Sequence, residues 1–255
     1  MKTIEIMIFV RPLSRHQHLT GFTLVEMAIV LVIVALLMGG MMLTLGSQQE
    51  QSRLRDTRRQ LVEVKEALIG FAIANGRLPC PASPDATGVE NPEGGGACAN
   101  RTNGFVPGIT LGLSPTDDKG YVIDSWGNRI RYAVSGDGTS DADSFTKSGK
   151  MKEIGIASLN PSLTVCSSSA GSTAGKCASG LDLTTKALAI VYSPAANGTR
   201  PPVSADETAN LTGNNVFVDH TESADGSPQG YFDDIVVWLS PNILYARMVE
   251  ASMLP

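Results

Sequence analysis

Hydrophobic and polar positions divide this chain into three stretches. Over residues 22–45 nearly every position is apolar, and the single charge is Glu26. As a helix this stretch would rise about 36 Å, enough to cross a ~30 Å hydrocarbon layer. Over residues 46–76 leucines recur every seven positions at Leu54, Leu61 and Leu68, with Val64 and Phe71 three residues after the latter two. That spacing draws one apolar stripe along a helix, while Asp56, Arg58, Arg59, Glu63, Lys65 and Glu66 fall on other faces. Asn75-Gly76 supplies a C-terminal stop, and Pro79 disfavours continuation. Beyond residue 77, short apolar runs alternate with turn-forming residues. The expected strands are residues 130–134, 153–157, 187–192, 216–218 and 235–239. Long polar loops rather than helices separate them, so an antiparallel sheet is expected. Residues 242–253 read as a short helix after Pro241, and residues 82–103 and 199–215 as insertions.

The expected fold is therefore α+β: a long N-terminal helix, transmembrane in its first half, packed through its second half on an antiparallel β-sheet globular domain. Composition agrees with the globular part. The 255 residues are 42% hydrophobic, enough for a packed core, and 26 glycines with 14 prolines imply many turns. The formal net charge is −5. Residues 1–21 are net basic, with Lys2, Arg11 and Arg15 against Glu5, so the remainder is more acidic still. An acidic body lacks the basic face of a general nucleic-acid binder, and no nucleic-acid partner is expected. All four cysteines, Cys80, Cys98, Cys166 and Cys177, follow the apolar stretch. Four cysteines allow three pairings. The sequence-local one, Cys80–Cys98 with Cys166–Cys177, closes two Gly-rich loops and implies an oxidising compartment; the alternative is four buried free thiols.

The start of the apolar stretch carries the strongest motif. Gly21-Phe22-Thr23-Leu24-Val25-Glu26 places a glycine directly before the hydrophobic run, with basic residues upstream. A secretory signal would instead put a small-residue cleavage site beyond its apolar core. Gly21, Phe22, Thr23, Leu24 and Glu26 resemble the prepilin-type processing motif of type IV pilins and type II secretion pseudopilins. The resemblance implies cleavage between Gly21 and Phe22 by a prepilin peptidase, with N-methylation of the new N-terminal Phe22. It also implies an assembly role for Glu26. A carboxylate near a bilayer centre costs on the order of 2.5–3.5 kcal/mol and less towards the interface; either way it favours a partner. The free amine of a neighbour's Phe22 would be that partner in a bundle of apolar helices. The divisions that follow are a leader over 1–21, with Met7 as a second candidate start, a transmembrane and filament-core helix over 22–45, an amphipathic continuation over 46–76, and a β-rich globular domain over 77–255. A second stretch, Asp124-Ser125-Trp126-Gly127-Asn128 with Tyr132, is similar to a turn-and-strand of major pseudopilins, and Leu78-Pro79-Cys80-Pro81 is similar to a segment of bacterial prepilin-like proteins. Trp126 and Tyr132 are expected to bracket the turn and pack on the helix.

The resemblance implies a minor pilin or pseudopilin subunit of a type IV pilus or type II secretion pseudopilus. Its partners would be other pilins or pseudopilins, prepilin peptidase, an inner-membrane assembly platform and membrane lipid. Its place would be the inner membrane, single-pass with the C-terminal domain in the periplasm, and the assembled filament would stand in the periplasm or at the cell surface. The alternative is an adhesin or substrate-binding module displayed on a pilus by the same helix.

Catalytic chemistry has no motif here. There is no G-x-S-x-G, P-loop or G-x-G-x-x-G. His16 and His18 fall in the leader, leaving His220, beside Asp219, as a loop pair. The separated cysteines lack zinc-finger spacing, so no cofactor is expected. The one hard-cation candidate is calcium on Asp137, Asp141 and Asp143, near Asp117, Asp118 and Asp124. The spacing does not match an EF-hand, and a solvated acidic loop is the favoured reading.

Overall fold

The computed structural model describes residues 21–138, 142–198, 200 and 204–255, with backbone alone for residues 39–45. The expected leader over residues 1–20 lies outside them. Two compact units divide the chain at Gln49 and Glu50.

In the first unit, the described residues enter helix α1, Leu24–Asn75, which continues into the second. Among the described residues no helix is long and apolar enough to cross a membrane, which overturns the transmembrane first half of the expected fold. The described apolar side chains of α1 run from Leu24 to Met38. Glu26 also sits in the first turn of that run. The inner-membrane, single-pass placement with a periplasmic C-terminal domain is overturned by the same finding.

The second unit has three layers, and the alternation of side chains along the strands explains why. After α1 come β1 (Gly104–Phe105), α2 (Gly108–Leu111), β2 (Arg131–Val134), α3 (Lys150–Ile154) and β3 (Leu163–Cys166). Then follow β4 (Asp182–Ala187), β5 (Ala189–Ser193), a 3₁₀ turn, α4 (Ala205–Leu211), β6 (Val216–Val218), β7 (Ile235–Leu239) and α5 (Pro241–Glu250). Strands β1-β2-β5-β7 form an antiparallel sheet, and β4-β3-β6 a second one in which β3 and β6 run parallel. Successive residues of a strand point to opposite faces. Tyr132, Val134, Ala189, Val191 and Leu239 join one core with Leu54, Leu61, Val64 and Leu68 of α1 and with Leu244 and Met248 of α5. Ala133, Ile190, Tyr192 and Val236 face the other way and pack on Leu163, Val165 and Phe217 of the second sheet. The first sheet is thus covered on both faces, which is why its strands read as unbroken apolar runs.

The heptad leucines of α1 are buried as expected, and the stripe continues through Ala72, while Phe71 is only partly buried beneath the Arg77 guanidinium. Fully burying Leu61 and Leu68 contributes about 2 kcal/mol each. Three expectations need correction. A single antiparallel sheet was expected, and two sheets are present, one with a parallel pair. Residues 153–157 were expected as a strand, but α3 occupies residues 150–154. Gly149 and Gly155, at φ 76° and 79°, bracket it in backbone that other residues rarely adopt, and the turn between them buries Met151. Residues 199–215 were expected as an insertion loop, yet α4 lies there, with the Ser204 hydroxyl accepting from the Glu207 N–H as its N-cap.

Candidate functional site

In the first unit, Gly21, Phe22 and Thr23 precede the helix in non-helical backbone, and all three are exposed. Thr23 and Glu26 cap α1 reciprocally. Glu26 N donates to Thr23 Oγ1 at 3.2 Å, while Thr23 N and Oγ1 donate to Glu26 Oε2 at 2.9 and 3.0 Å. This is the capping box, in which two orphan N–H groups of a helix start are satisfied at once. The Thr23 N–H first and its hydroxyl second hold the Glu26 carboxyl below its usual range. The Thr-x-x-Glu spacing is the signal in the sequence for this capping role. From Leu24 to Met38 the large apolar side chains are exposed all round, with Leu24 at 89% and Leu36 at 73%. Leu24, Val25, Ala28, Ile29, Val32 and Ile33 line a shallow groove on one face.

In the second unit the four cysteines form the two sequence-local disulfides. Cys80–Cys98 has Cα atoms 5.3 Å apart and Cys166–Cys177 has them 5.5 Å apart. The first lies beside a buried ion pair. Arg77 Nη1 and Nη2 donate to the two oxygens of Glu90 at 2.7 and 2.6 Å, and Cys80 N donates to Glu90 Oε2 at 3.0 Å. Both side chains are under a tenth exposed, so this pair fastens the segment leaving α1 to the loop beyond it.

The acidic residues singled out in the sequence separate on folding. Asp124 holds the Trp-Gly turn, accepting from Trp126 N, Asn128 N and Ser193 Oγ at 2.6–2.9 Å. Asp117 accepts from the N–H groups of Lys119 and Tyr121 and from Arg129 Nε. Burial acts to raise its pKa, but those donors and the Arg129 charge outweigh it, and Asp117 titrates below its usual range. Asp118 is exposed. Of the expected calcium loop, Asp141 lies outside the described residues, Asp137 bridges to Pro161, and Asp137 and Asp143 both have interaction partners. Tyr132 is buried with its hydroxyl donating to Pro79 O at 3.1 Å, and half-buried Trp126 packs against the α1-facing core with its indole N–H unpaired. His220 bonds not to Asp219 but to Asp206, Nε2 to Oδ2 at 3.2 Å, and stacks on Phe232.

Sequence reasoning missed one group of side chains altogether. Glu207 of α4 meets Asp233 and Asp234, which lead into β7, and an oxygen of each lies within 4.8 Å of the others. All three are buried, at 2%, 8% and 7% exposure. Burial pushes the Asp234 carboxyl up to about 7, and burial with the neighbouring Glu207 carboxylate pushes Asp233 up too. The only signal in the sequence was an acidic pair directly before an apolar strand, in Phe232-Asp233-Asp234-Ile235. Glu207 stands 26 residues before Asp233, and nothing in the spacing ties them.

No family model matches this chain, and neither a curated protein nor a solved structure does so.

Proposed function

We propose that this chain is a pilin-like filament subunit. It is cut between Gly21 and Phe22 by a prepilin peptidase, N-methylated on Phe22, and joined to further pilin-like chains through its apolar helix in a type IV pilus or type II secretion pseudopilus. The observation that carries the reading is the exposed apolar surface of residues 24–38, interrupted by one carboxylate and preceded by an accessible Gly21–Phe22 bond. A contiguous apolar surface on this scale marks an interaction site. Covering each large side chain gains about 1.5–3 kcal/mol, so a bundle of such helices is favoured over isolated ones.

The capping geometry is compatible with a role between subunits. Glu26 Oε2 takes both Thr23 donors, so Oε1 remains for a cation from outside. A neighbour's Phe22 ammonium is such a cation after cleavage, and methylation keeps its charge. Pairing there, inside a dry helix bundle, also fixes the axial register of adjacent subunits, because an unpaired carboxylate in that setting is costly. Expression of Glu26→Gln beside the wild type tests this. The variant is expected to be cleaved normally yet to be missing from the sheared filament fraction. Incorporation of Glu26→Gln at the wild-type level would refute the pairing.

A further inference from the structure

We propose that Glu207, Asp233 and Asp234 form a binding site for one hard divalent cation of the calcium or magnesium class. The inference stands whether or not the chain joins a filament.

Geometry is the first argument. Calcium takes oxygen ligands at 2.3–2.6 Å, so oxygens on opposite sides of one ion stand about 4.8 Å apart and adjacent ones about 3.4 Å. The three carboxylates offer oxygens that all fall within 4.8 Å of one another, the span of one such sphere. They come from two separate segments of chain, the helix α4 and the approach to β7, which folding brings together.

An independent observation is the state of Asp233. Its Oδ2 accepts from Tyr231 Oη at 2.8 Å, Ala196 N at 3.0 Å and Asn197 N at 3.3 Å. Its Oδ1 is shut off from solvent and accepts nothing. A buried acceptor without a partner is costly, and an ionised one more so, unless a cation satisfies it. Asp233 thus keeps one buried acceptor open to a cation, on a side chain more than nine-tenths buried.

The surroundings hold the carboxylates in place. Asn197 Nδ2 donates to both oxygens of Glu207 at 2.9 Å, and Asn210 Nδ2 donates to Asp234 Oδ2 at 2.7 Å. Such outer contacts fix the orientation of liganding carboxylates. A cavity of about 140 Å³, lined by Asn197, Glu207 and Asp234, adjoins the cluster and supplies an entry path with room for water ligands. Oxygen-only donors select calcium, magnesium or manganese over zinc or copper. Arg131 and Arg200 line the same cavity and oppose a dication. A dissociation constant in the range of about 10⁻⁵ to 10⁻³ M is therefore expected, weaker than sites of undiluted acidic charge. Asp137 and Asp143, the calcium candidates of the sequence, do not belong to this group.

The test uses the full chain, stripped with a chelator and then titrated with calcium chloride, with magnesium chloride in parallel, by calorimetry and thermal unfolding. The expected result is a saturable heat at one ion per chain and a Tm higher by about 5–10 °C at a hundredfold excess over the dissociation constant. Asp233→Asn and Glu207→Gln should each weaken binding tenfold or more, while Asp137→Asn leaves it unchanged. Should Asp233→Asn fail to fold, Glu207→Gln carries the same comparison. Absence of any heat or Tm shift up to about 10 mM of either ion, above the weak end of such sites, would overturn the proposal. A water held between Asp233 and Trp126, which line a second cavity together, would then account for both unpaired atoms. A response that survives Asp233→Asn, or one abolished by Asp137→Asn, would overturn it equally.

Discussion

Replacing Glu90 with glutamine tests how the end of α1 is secured. Glu90 is 6% exposed and accepts four hydrogen bonds: two from Arg77, one from Cys80 N at 3.0 Å and one from Gly94 N at 3.3 Å. Glutamine keeps the volume but removes the charge and turns one acceptor into a donor, which then faces donors. Arg77, itself 6% exposed, keeps Leu78 O at 3.2 Å and the Phe71 ring at 5.0 Å as partners but loses its counter-ion. Breaking a buried pair from one side costs about 3–5 kcal/mol, because the remaining charge is stranded. At roughly 2–4 °C per kcal/mol for a domain of this size, Tm should fall by about 6–20 °C. The double variant Arg77→Met with Glu90→Leu removes both charges and should recover most of that loss, since apolar replacement of a buried pair is often neutral. The assay is urea unfolding of the full chain with the disulfides intact, reading the midpoint at constant m-value. A loss below about 1 kcal/mol for Glu90→Gln would refute the reasoning. A double variant at least as unstable as the single one would refute it as well.

Two further predictions concern the loops and acid. In the chain-entropy account, a crosslink over 18 residues contributes about 3.2 kcal/mol and one over 11 residues about 2.8 kcal/mol. Paired Cys→Ser variants at Cys80/Cys98 and at Cys166/Cys177 should therefore each lower stability by about 3 kcal/mol in urea melts, with the first pair costing slightly more. Equal stability of oxidised and reduced wild type would contradict this. Asp117, whose folded pKa lies below the ordinary aspartate value, contributes stability that is present above that ordinary value and is lost as pH falls through the lower folded one. Asp117→Asn should cost about 1 kcal/mol at pH 7. The gap to wild type should close in melts carried progressively below about pH 3.8; a gap that stays constant with pH would show that the charge is not what matters.

Legibility of the fold followed from how each element is buried. Residues 235–239 and 187–192 were readable because β7 and β5 are covered on both faces, so their apolar runs have no polar interruption. The second run was read as one strand, whereas β4 ends at Ala187 and β5 begins at Ala189, on different sheets. The heptad over Leu54, Leu61 and Leu68 was readable because one face of α1 meets the core. Residues 153–157 misled because Ile154 and Ile156 alternate as in a strand, while the two positive-φ glycines decide the local shape. Helix α4 was invisible because its Ala-Asp-Glu-Thr-Ala-Asn-Leu sequence buries polar groups. Asn210 donates to Val218 O and Asp234, and its Oδ1 accepts from Val218 N. Such a helix is held by hydrogen bonds across the chain, which no periodicity encodes. The same long-range pairing hid the Glu207–Asp233–Asp234 group. At the N-terminus what escaped was that Thr23 already engages Glu26 within the same helix start.

The most direct test of the filament-subunit account is intact-mass and N-terminal analysis of the protein recovered from cells with an active prepilin peptidase, including the sheared surface fraction. The account predicts a chain that begins at N-methylated Phe22 and carries the mass deficit of two disulfides. A chain that retains Gly21 and the residues before it, in that same strain, would contradict it.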